Sequence, residues 1–146
     1  MYAVYSDPVG ARFVDDGLPI QRNEVGLWIA KTQENYRQYG YGMFAIMERD
    51  SGEVIGFIGL VHPGGQLETE VKYSLLRRVW GQGLGTEAVS AVVAYGRREH
   101  ALREIIATVD PEHLASQCVL TKCGFNFRED RFNDDGTVTR VFAIAD

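Results

Sequence analysis

Three glycines at alternate positions stand directly before an apolar-periodic segment. Gly81, Gly83 and Gly85 lie within the stretch VWGQGLGTEA, residues 79 to 88. The first N–H groups of a helix have no partner inside the helix and lie at the positive end of its dipole, so they attract phosphates. The pattern predicts a diphosphate cradle at a helix start, to which Thr86 can add a hydroxyl. The other interpretation is a tight turn that requires positive φ angles.

Two better-known phosphate loops do not fit these residues. A Walker loop requires Gly-Lys-Ser/Thr, and no lysine follows the glycines. In the dinucleotide pattern G-x-G-x-x-G, counted from Gly81, the third glycine position is occupied by Thr86. The sequence therefore indicates a different diphosphate ligand.

The segment before the glycines, ETEVKYSLL, alternates charged and apolar residues. This period of two predicts a strand that leads into the loop. One face would carry Val71, Tyr73 and Leu75, and the other Glu68, Glu70, Lys72 and Ser74. Such alternation is ordinary for a half-buried strand, so solvated carboxylates are one interpretation of Glu68 and Glu70.

The rest of the chain supplies the elements that position the loop. SDPVGARFV and the segment from Asn23 to Tyr36 predict N-terminal helices. MFAIME and EVIGFIGLVH, around Asp50-Ser51-Gly52, predict an antiparallel pair of strands. Helical spacing continues from Leu84 to near His100, and the nearly continuous apolar run of REIIATVD predicts a strand buried on both faces.

The C-terminal part predicts one more helix and a hairpin. PEHLASQCVLTKCGF has Pro111 at a helix-start position and stops at Gly124. FNFREDRF and TVTRVFAI, separated by residues 133 to 136, predict the closing hairpin. The fold class is therefore α+β, with a mixed, mostly antiparallel central sheet and helices on both faces, and residues 1–146 are expected to form a single domain.

Composition excludes several classes of function. The 146 residues carry a formal net charge of −5, with a pI near 5.2, which argues against a binder of the nucleic-acid backbone. No apolar run is long enough for a membrane helix and no secretory signal is evident, so a cytoplasmic location is expected. Cys118 and Cys123 are expected to be buried and not to form an internal disulfide.

VWGQGLGTEA resembles the coenzyme A loop of the GNAT superfamily of N-acetyltransferases, and in particular its RimJ/RimL-like branch, which acetylates protein N-termini and related amines. LREIIATVDPEHLASQCVLTKCGF resembles that branch's strand and helix ending in Lys-x-Gly-Phe, here Lys122, Gly124 and Phe125. EVKYSLL resembles the strand before the loop, and SDPVGARFV the end of the family's first helix. The resemblance implies a GNAT fold that binds acetyl-CoA or coenzyme A.

The resemblance also implies which residues contact the cosubstrate: Leu75, Leu76, Trp80, Gly81, Gln82, Gly83, Leu84, Gly85, Thr86, His113, Ser116 and Lys122. The backbone N–H groups around Leu75 and Leu76 would stabilise the oxyanion that develops in acyl transfer. At most one of Arg77 and Arg78 is expected to meet a phosphate. His113 is expected to cap its helix or contact pantetheine.

The chemistry requires groups that move protons. An alkylamine with a pKa near 10.4 is mostly protonated at pH 7, so a base must act before attack on the thioester. Glu70, at the position of an acidic residue in the RimL-like strand, is the first candidate and Glu68 the second. Ser116 would lie near the sulfur and help protonate the thiolate, although a merely satisfied helix hydroxyl is the other interpretation.

Several positions depart from the family pattern. Trp80 replaces the usual Gln or Arg, His113 stands where Asn is typical, and Leu120 occupies the position of a tyrosine acid. The family's first strand is expected to be missing, which would expose the edge of MFAIME and favour a homodimer, with a start codon placed too late as the other explanation. Tyr36, Tyr39 and Tyr41 fall where the acceptor pocket of the family tends to lie, with core packing as the alternative.

The resemblance thus implies an acetyl-CoA-dependent N-acetyltransferase that transfers acetyl to a primary amine, either a protein N-terminus or a small molecule, by direct attack in a ternary complex. Two other functions stay open at this point. One is a catalytically weak coenzyme A binding or regulatory module, and the other is a nucleotide-binding regulatory domain.

Overall fold

The computed structural model describes residues 1–14 and 17–146. Its helices are α1 (Tyr2–Tyr5), α2 (Pro8–Ala11), α3 (Val25–Tyr39), α4 (Leu84–His100) and α5 (Leu114–Lys122). Its strands are β1 (Met43–Met47), β2 (Val54–Val61), β3 (Glu70–Leu75), β4 (Glu104–Val109), β5 (Asn126–Phe132) and β6 (Val138–Ala145). Short 3-10 helices cover Arg22–Glu24, Pro63–Gly65 and Arg77–Val79.

The strands form one six-stranded sheet in the order β1-β2-β3-β4-β6-β5. All neighbouring pairs are antiparallel except β3 and β4, which are parallel. The parallel pair is joined by α4, as a crossover connection requires. The predicted α+β class and the mixed, mostly antiparallel sheet are confirmed, and β1 lies at one edge.

Helices cover both faces of this sheet. Phe57 of β2 contacts Tyr5 and Trp28 on the α1 and α3 side, with ring centroids 6.2 Å and 5.2 Å away. The next residue, Ile58, points to the other face and joins the core cluster with Val92 of α4. β4 is buried on both faces, as predicted, with Ile105 and Ile106 at most 1% exposed.

Helix boundaries differ from the prediction where short polar segments compete with the helix. α1 was not predicted, and α2 covers only Pro8–Ala11, with the Asp7 carboxylate accepting from Val9 N at 3.2 Å. α5 begins at Leu114 instead of Pro111. The reason is a turn in which Asp110 Oδ1 accepts from Glu112 N at 2.8 Å.

Other expectations are corrected or confirmed by exposure. The predicted burial of both cysteines is wrong: Cys118 is exposed on the solvent side of α5, and Cys123, beside the start of α4, is only partly buried. Each helix described within residues 1–14 and 17–146 is too short or too polar to span a lipid bilayer.

Candidate active-site cleft

The sheet opens between its two parallel strands. β3 and β4 pair only at Glu70 and Ile106, where Ile106 N donates to Thr69 O at 2.9 Å. The other neighbouring strands pair over five residues or more. Beyond Glu70 and Ile106 the two strands separate and leave a gap between them, which is called the cleft.

The backbone of β3 directs one N–H of the predicted oxyanion pair into this cleft. Leu76 N donates to Ile55 O at 2.8 Å, so the donor role expected for Leu76 is wrong. Successive N–H groups of a strand point to opposite edges, and Leu75 N–H therefore faces the cleft. The Leu75 carbonyl accepts from Trp80 Nε1 at 2.9 Å, which fixes the chain as it leaves the strand.

The glycine loop meets the cleft at the start of α4. Gly81 and Gly83 have φ angles of 74° and 77°, and Gly83 is the N-cap of α4. A Cβ added at either residue would meet no atom within 4 Å, so the space outside the loop is open. The turn interpretation is confirmed at Gly81 and Gly83, because the loop has positive φ angles there. The diphosphate cradle stays a prediction, for which the first helical N–H groups, at Leu84, Gly85 and Thr86, are available because a glycine N-cap gives them no side-chain partner.

Gly85 differs from the other two glycines because it has no positive φ angle. It is helical, and an added Cβ would lie 3.7 Å from Tyr73 Cε2 and 3.6 Å from Val119 Cγ2. Both distances are ordinary van der Waals contacts, so an alanine would fit at this position and the packing does not require glycine.

The remaining loop residues cluster around the same helix start. Trp80 is 45% exposed, and Gln82 Nε2 donates to Arg78 O at 3.4 Å. Cys123 Sγ donates to Thr86 O at 3.4 Å, which brings the exposed Lys122 at the end of α5 beside the start of α4. Their contacts with a cosubstrate stay a prediction.

Neither arginine before the loop is unpaired. Both precede it within or beside the 3-10 helix Arg77–Val79, not on a strand. Arg77 Nε donates to Asp7 Oδ2 at 2.9 Å, and Arg78 pairs with Glu53 at 2.7 Å. The Arg77 guanidinium lowers the pKa of Asp7. A cosubstrate phosphate would have to compete with these carboxylates.

Glu70 is buried at the inner end of the cleft. It is 2% exposed, Gln66 Nε2 donates to its Oε2 at 3.2 Å, and Thr108 Oγ1 donates to its Oε1. The interpretation of Glu70 as a solvated carboxylate is therefore wrong, because residues from the preceding loop and from β4 cover it.

Glu68 lies in an ion-pair cluster instead of on the strand. Arg128 donates to Glu68 Oε1 at 2.6 Å, and Arg131 donates to both carboxylate oxygens at 3.2 Å and 3.1 Å. The hydrogen bond from Arg128, with smaller contributions from Arg131, lowers the pKa of Glu68. A carboxylate held by two guanidinium groups is a poor proton acceptor, so Glu68 is the weaker of the two candidates.

Two hydroxyls meet across the cleft. Tyr73 OH and Ser116 Oγ lie 2.8 Å apart, although 43 positions separate them in the chain. Burial raises the pKa of Tyr73, and the bond to Ser116 lowers it less, so the phenol stays protonated at neutral pH. Sequence reasoning missed Tyr73 because it alternates with Val71 and Leu75 on the apolar face. The signal available was that a buried tyrosine hydroxyl needs a partner.

His113 caps α5, as one of its two expected roles required. Its Nδ1 accepts from Ser116 N at 3.5 Å, and its ring stacks on Phe13 with centroids 4.3 Å apart. Burial lowers the pKa of His113, against a smaller opposing effect of Asp110. The neutral ring suits the cap, because only an unprotonated Nδ1 accepts a hydrogen bond.

The other expected positions are part of the packing. Leu120 is fully buried. Tyr36 OH donates to Met43 O at 2.9 Å, Tyr39 stacks on His62 at 4.0 Å, and Tyr41 is 5% exposed. The packing interpretation of the three tyrosines is thus favoured over substrate contact.

Comparison with known proteins identifies the family of the chain. The model described as acetyltransferase (GNAT) domain matches residues 1–126. Uncharacterized protein YkkB of Bacillus subtilis (strain 168) is 31% identical over 102 residues, which are 68% of this chain and 59% of that protein. The chain spans about half to three-fifths of the length of the first curated relatives it matches.

Solved structures share the fold. An acetyltransferase (GNAT family) from Bacillus anthracis superposes with a TM-score of 0.83 at 19% identity, covering 99% of this chain and 86% of that one. RimL, described as a ribosomal L7/L12 alpha-N-protein acetyltransferase in complex with coenzyme A, superposes with a TM-score of 0.81 at 16% identity, covering 98% and 84%. The chain belongs to the acetyltransferase (GNAT) domain family.

Proposed function

We propose that the chain is an acetyl-CoA-dependent N-acetyltransferase that transfers acetyl to a primary amine by direct attack in a ternary complex. The observation that carries this proposal is the meeting of two features, the cleft between β3 and β4 and the bare start of α4. A coenzyme A complex of the similarly folded RimL supports the choice of ligand.

The glycine loop fits the diphosphate of coenzyme A. The N–H groups of Leu84, Gly85 and Thr86 begin α4 without a side-chain cap, and open space lies outside Gly81 and Gly83. Phosphates are favoured there by free donors and by the helix dipole. From the start of α4, the cleft leaves a path along β3 toward Leu75 and Tyr73, which the pantetheine arm of coenzyme A would follow.

Glu70 is the proposed base. Each of its oxygens accepts one hydrogen bond, which leaves acceptor capacity on both for a proton delivered directly or through a water. Its position where β3 and β4 separate puts it at the inner end of the cleft, where an amine would meet the acetyl group. Leu75 N–H is the proposed donor to the developing oxyanion.

Ser116 is the proposed donor to the departing thiolate. It lies in the first turn of α5, and its hydroxyl contacts Tyr73 OH at 2.8 Å. When Tyr73 donates to Ser116 Oγ, the serine proton is free to point toward the sulfur. These two hydroxyls supply the acid function that Leu120 lacks, and this favours an enzyme over a binding module.

A thiol-release assay with acetyl-CoA tests the proposal, using peptides with free N-termini and polyamines as separate acceptor panels. We expect Glu70→Gln to lower kcat by about 10²-fold or more, the usual contribution of a general base. Glu68→Gln is the matched control, because it replaces a carboxylate by an amide in the same way but within the ion-pair cluster. Its kcat is expected to stay within about threefold of the original value.

The outcomes separate the alternatives. Full turnover of Glu70→Gln between pH 6 and pH 9 would show that Glu70 is not the base. Binding of acetyl-CoA without thiol release for any amine would indicate a coenzyme A binding module instead. A preference for the peptide panel would favour the RimJ/RimL-like branch, whereas a preference for polyamines would favour a small-molecule acceptor.

We also propose a homodimer formed through the edge strand β1. Its residues, Met43–Met47, carry no charge, and a groove of about 330 Å³ lined by Phe44, Ile46, Ala88, Ala91 and Tyr95 lies beside it. Uncharged edge strands recruit further strands.

A cytoplasmic location is part of the proposal, since both cysteines are free thiols.

Sedimentation equilibrium tests the dimer. Ala45→Lys places a charge on the exposed edge and is expected to give a monomer, while Phe132→Lys, on the opposite edge strand β5 and 82% exposed, serves as the control. If the unmodified chain is monomeric at about 100 μM, the interface is disproved, because a stable dimer stays associated at that concentration.

A further inference from the structure

The Glu70 carboxylate connects β3 to β4 at the point where their backbone pairing ends. The last pair is Glu70 with Ile106, and Thr108 follows two residues later on the same face of β4. Thr108 Oγ1 donates to Glu70 Oε1, 38 positions away in the chain. A side-chain hydrogen bond thus continues the connection between the strands beyond the last backbone bond.

A second donor comes from the loop between β2 and β3. Gln66 Nε2 donates to Glu70 Oε2 at 3.2 Å and to Glu68 O at 3.1 Å. The two carboxylate oxygens of Glu70 are therefore held from two sides, one by β4 and one by this loop. Two donors on different oxygens fix the plane of a carboxylate as well as its position.

The loop that carries Gln66 is itself anchored. The Gln66 carbonyl oxygen lies 3.0 Å from His62 Nδ1. Because a carbonyl only accepts hydrogen bonds, Nδ1 carries the proton. In the neutral ring, Nε2 then accepts from Tyr41 OH at 2.7 Å. Tyr39 stacks on the same imidazole with centroids 4.0 Å apart. Contacts on both nitrogens and on one ring face hold His62, and His62 holds Gln66.

We propose that Thr108 and Gln66 are positioning residues that aim the Glu70 carboxylate into the cleft. This inference rests on the proposed function, in which Glu70 is the base. A buried carboxylate with several rotamers would otherwise be free to turn away from the amine. Both donors lie at the inner end of the cleft, away from the glycine loop, so they affect the proton-accepting step and not the binding of acetyl-CoA.

Thr108→Val removes the hydroxyl and keeps the shape, and Thr108→Ser restores the hydroxyl. We expect Thr108→Val to lower kcat at least about tenfold with an unchanged KM for acetyl-CoA, since misplacement of a reacting group is costly. Thr108→Ser is expected to recover most of that loss. Gln66→Met, which keeps the chain length without the amide, is the second variant should Thr108→Val fold poorly.

A double-variant cycle separates positioning from simple stabilisation. In the Glu70→Gln background, we expect Thr108→Val to change kcat by less than about twofold, because a residue that acts through Glu70 has nothing left to position. A further tenfold loss in that background, or Thr108→Val at the original rate while Glu70→Gln is slow, would overturn the inference and leave the proposed function standing. Absence of thiol release from the original chain would instead overturn the proposed function.

Discussion

Replacement of Gly83 by alanine tests the diphosphate cradle, and Gly52 provides a matched control. Gly83 has a φ of 77° at the start of α4, and Gly52 has a φ of 70° in the turn between β1 and β2. An added Cβ meets nothing within 4 Å at either position. The two substitutions therefore carry the same backbone strain, and only Gly83 lies at the proposed site.

The strain sets the expected loss of stability. A left-handed conformation costs an L-residue about 1–2 kcal/mol. For a chain of this length, that corresponds to a fall of about 3–6 °C in Tm, and we expect it for both Gly83→Ala and Gly52→Ala. Thermal unfolding followed by circular dichroism measures it. A much larger loss for Gly83→Ala would mean that the helix start has a structural role beyond its φ angle.

Affinity for coenzyme A distinguishes the two variants. At Gly83, the new methyl group enters the open space assigned to the diphosphate, or the backbone relaxes and turns a donor away. Loss of one hydrogen bond to a charged group is worth about 1.5–3 kcal/mol, so the Kd is expected to rise about 10- to 150-fold. Isothermal titration calorimetry should show no change for Gly52→Ala. Equal affinity of the two variants would refute the cradle.

Two further predictions concern the hydroxyl pair and the histidine cap. Tyr73→Phe is expected to lower kcat about tenfold, the equivalent of one neutral hydrogen bond, and to add little to Ser116→Ala. Steady-state kinetics of the two single variants and the double variant check this, and fully multiplicative effects would show that the hydroxyls act independently. Because burial lowers the pKa of His113, the unfolded chain binds this proton more readily than the folded one. The free energy of unfolding should therefore decrease as the pH falls below about 6.5, the usual pKa of histidine. His113→Asn, which still caps the helix, should flatten this slope in denaturant titrations at pH 5 to 7, and an unchanged slope would contradict the assignment.

The sheet and the central helix could be predicted because their periodicity is strong. Strands β1 to β4 and β6 follow runs of alternating or continuous apolar residues, whereas β5 carries four consecutive charged residues and was predicted as one strand of the closing hairpin. α4 begins at Leu84 and ends at His100, as its apolar spacing indicated. The start of α5 was misplaced because Pro111 suits both a helix start and a turn, and the Asp110 side chain selects the turn.

Long-range side-chain contacts were beyond the reach of local patterns. The alternating pattern that contains Glu70 is the same whether that face of the strand is exposed to solvent or buried. The contacts of Glu70 with Thr108 and Gln66, which are not visible in the pattern, show that it is buried. Tyr73 looked like an apolar core residue because nothing near it in sequence reveals Ser116. The loop, by contrast, was recognisable because glycine spacing reports backbone requirements directly.

In the proposed dimer, the different charge of the two edge strands would limit how many copies can join. β1 has no charged residue, whereas β5 carries four consecutive ones, Arg128, Glu129, Asp130 and Arg131. Joining copies edge to edge in a continuous row would require that both edge strands of each sheet can pair with another copy. Pairing through β1 would occupy the uncharged edge strand of each copy. Growth would then end at two copies and would not continue into a fibre.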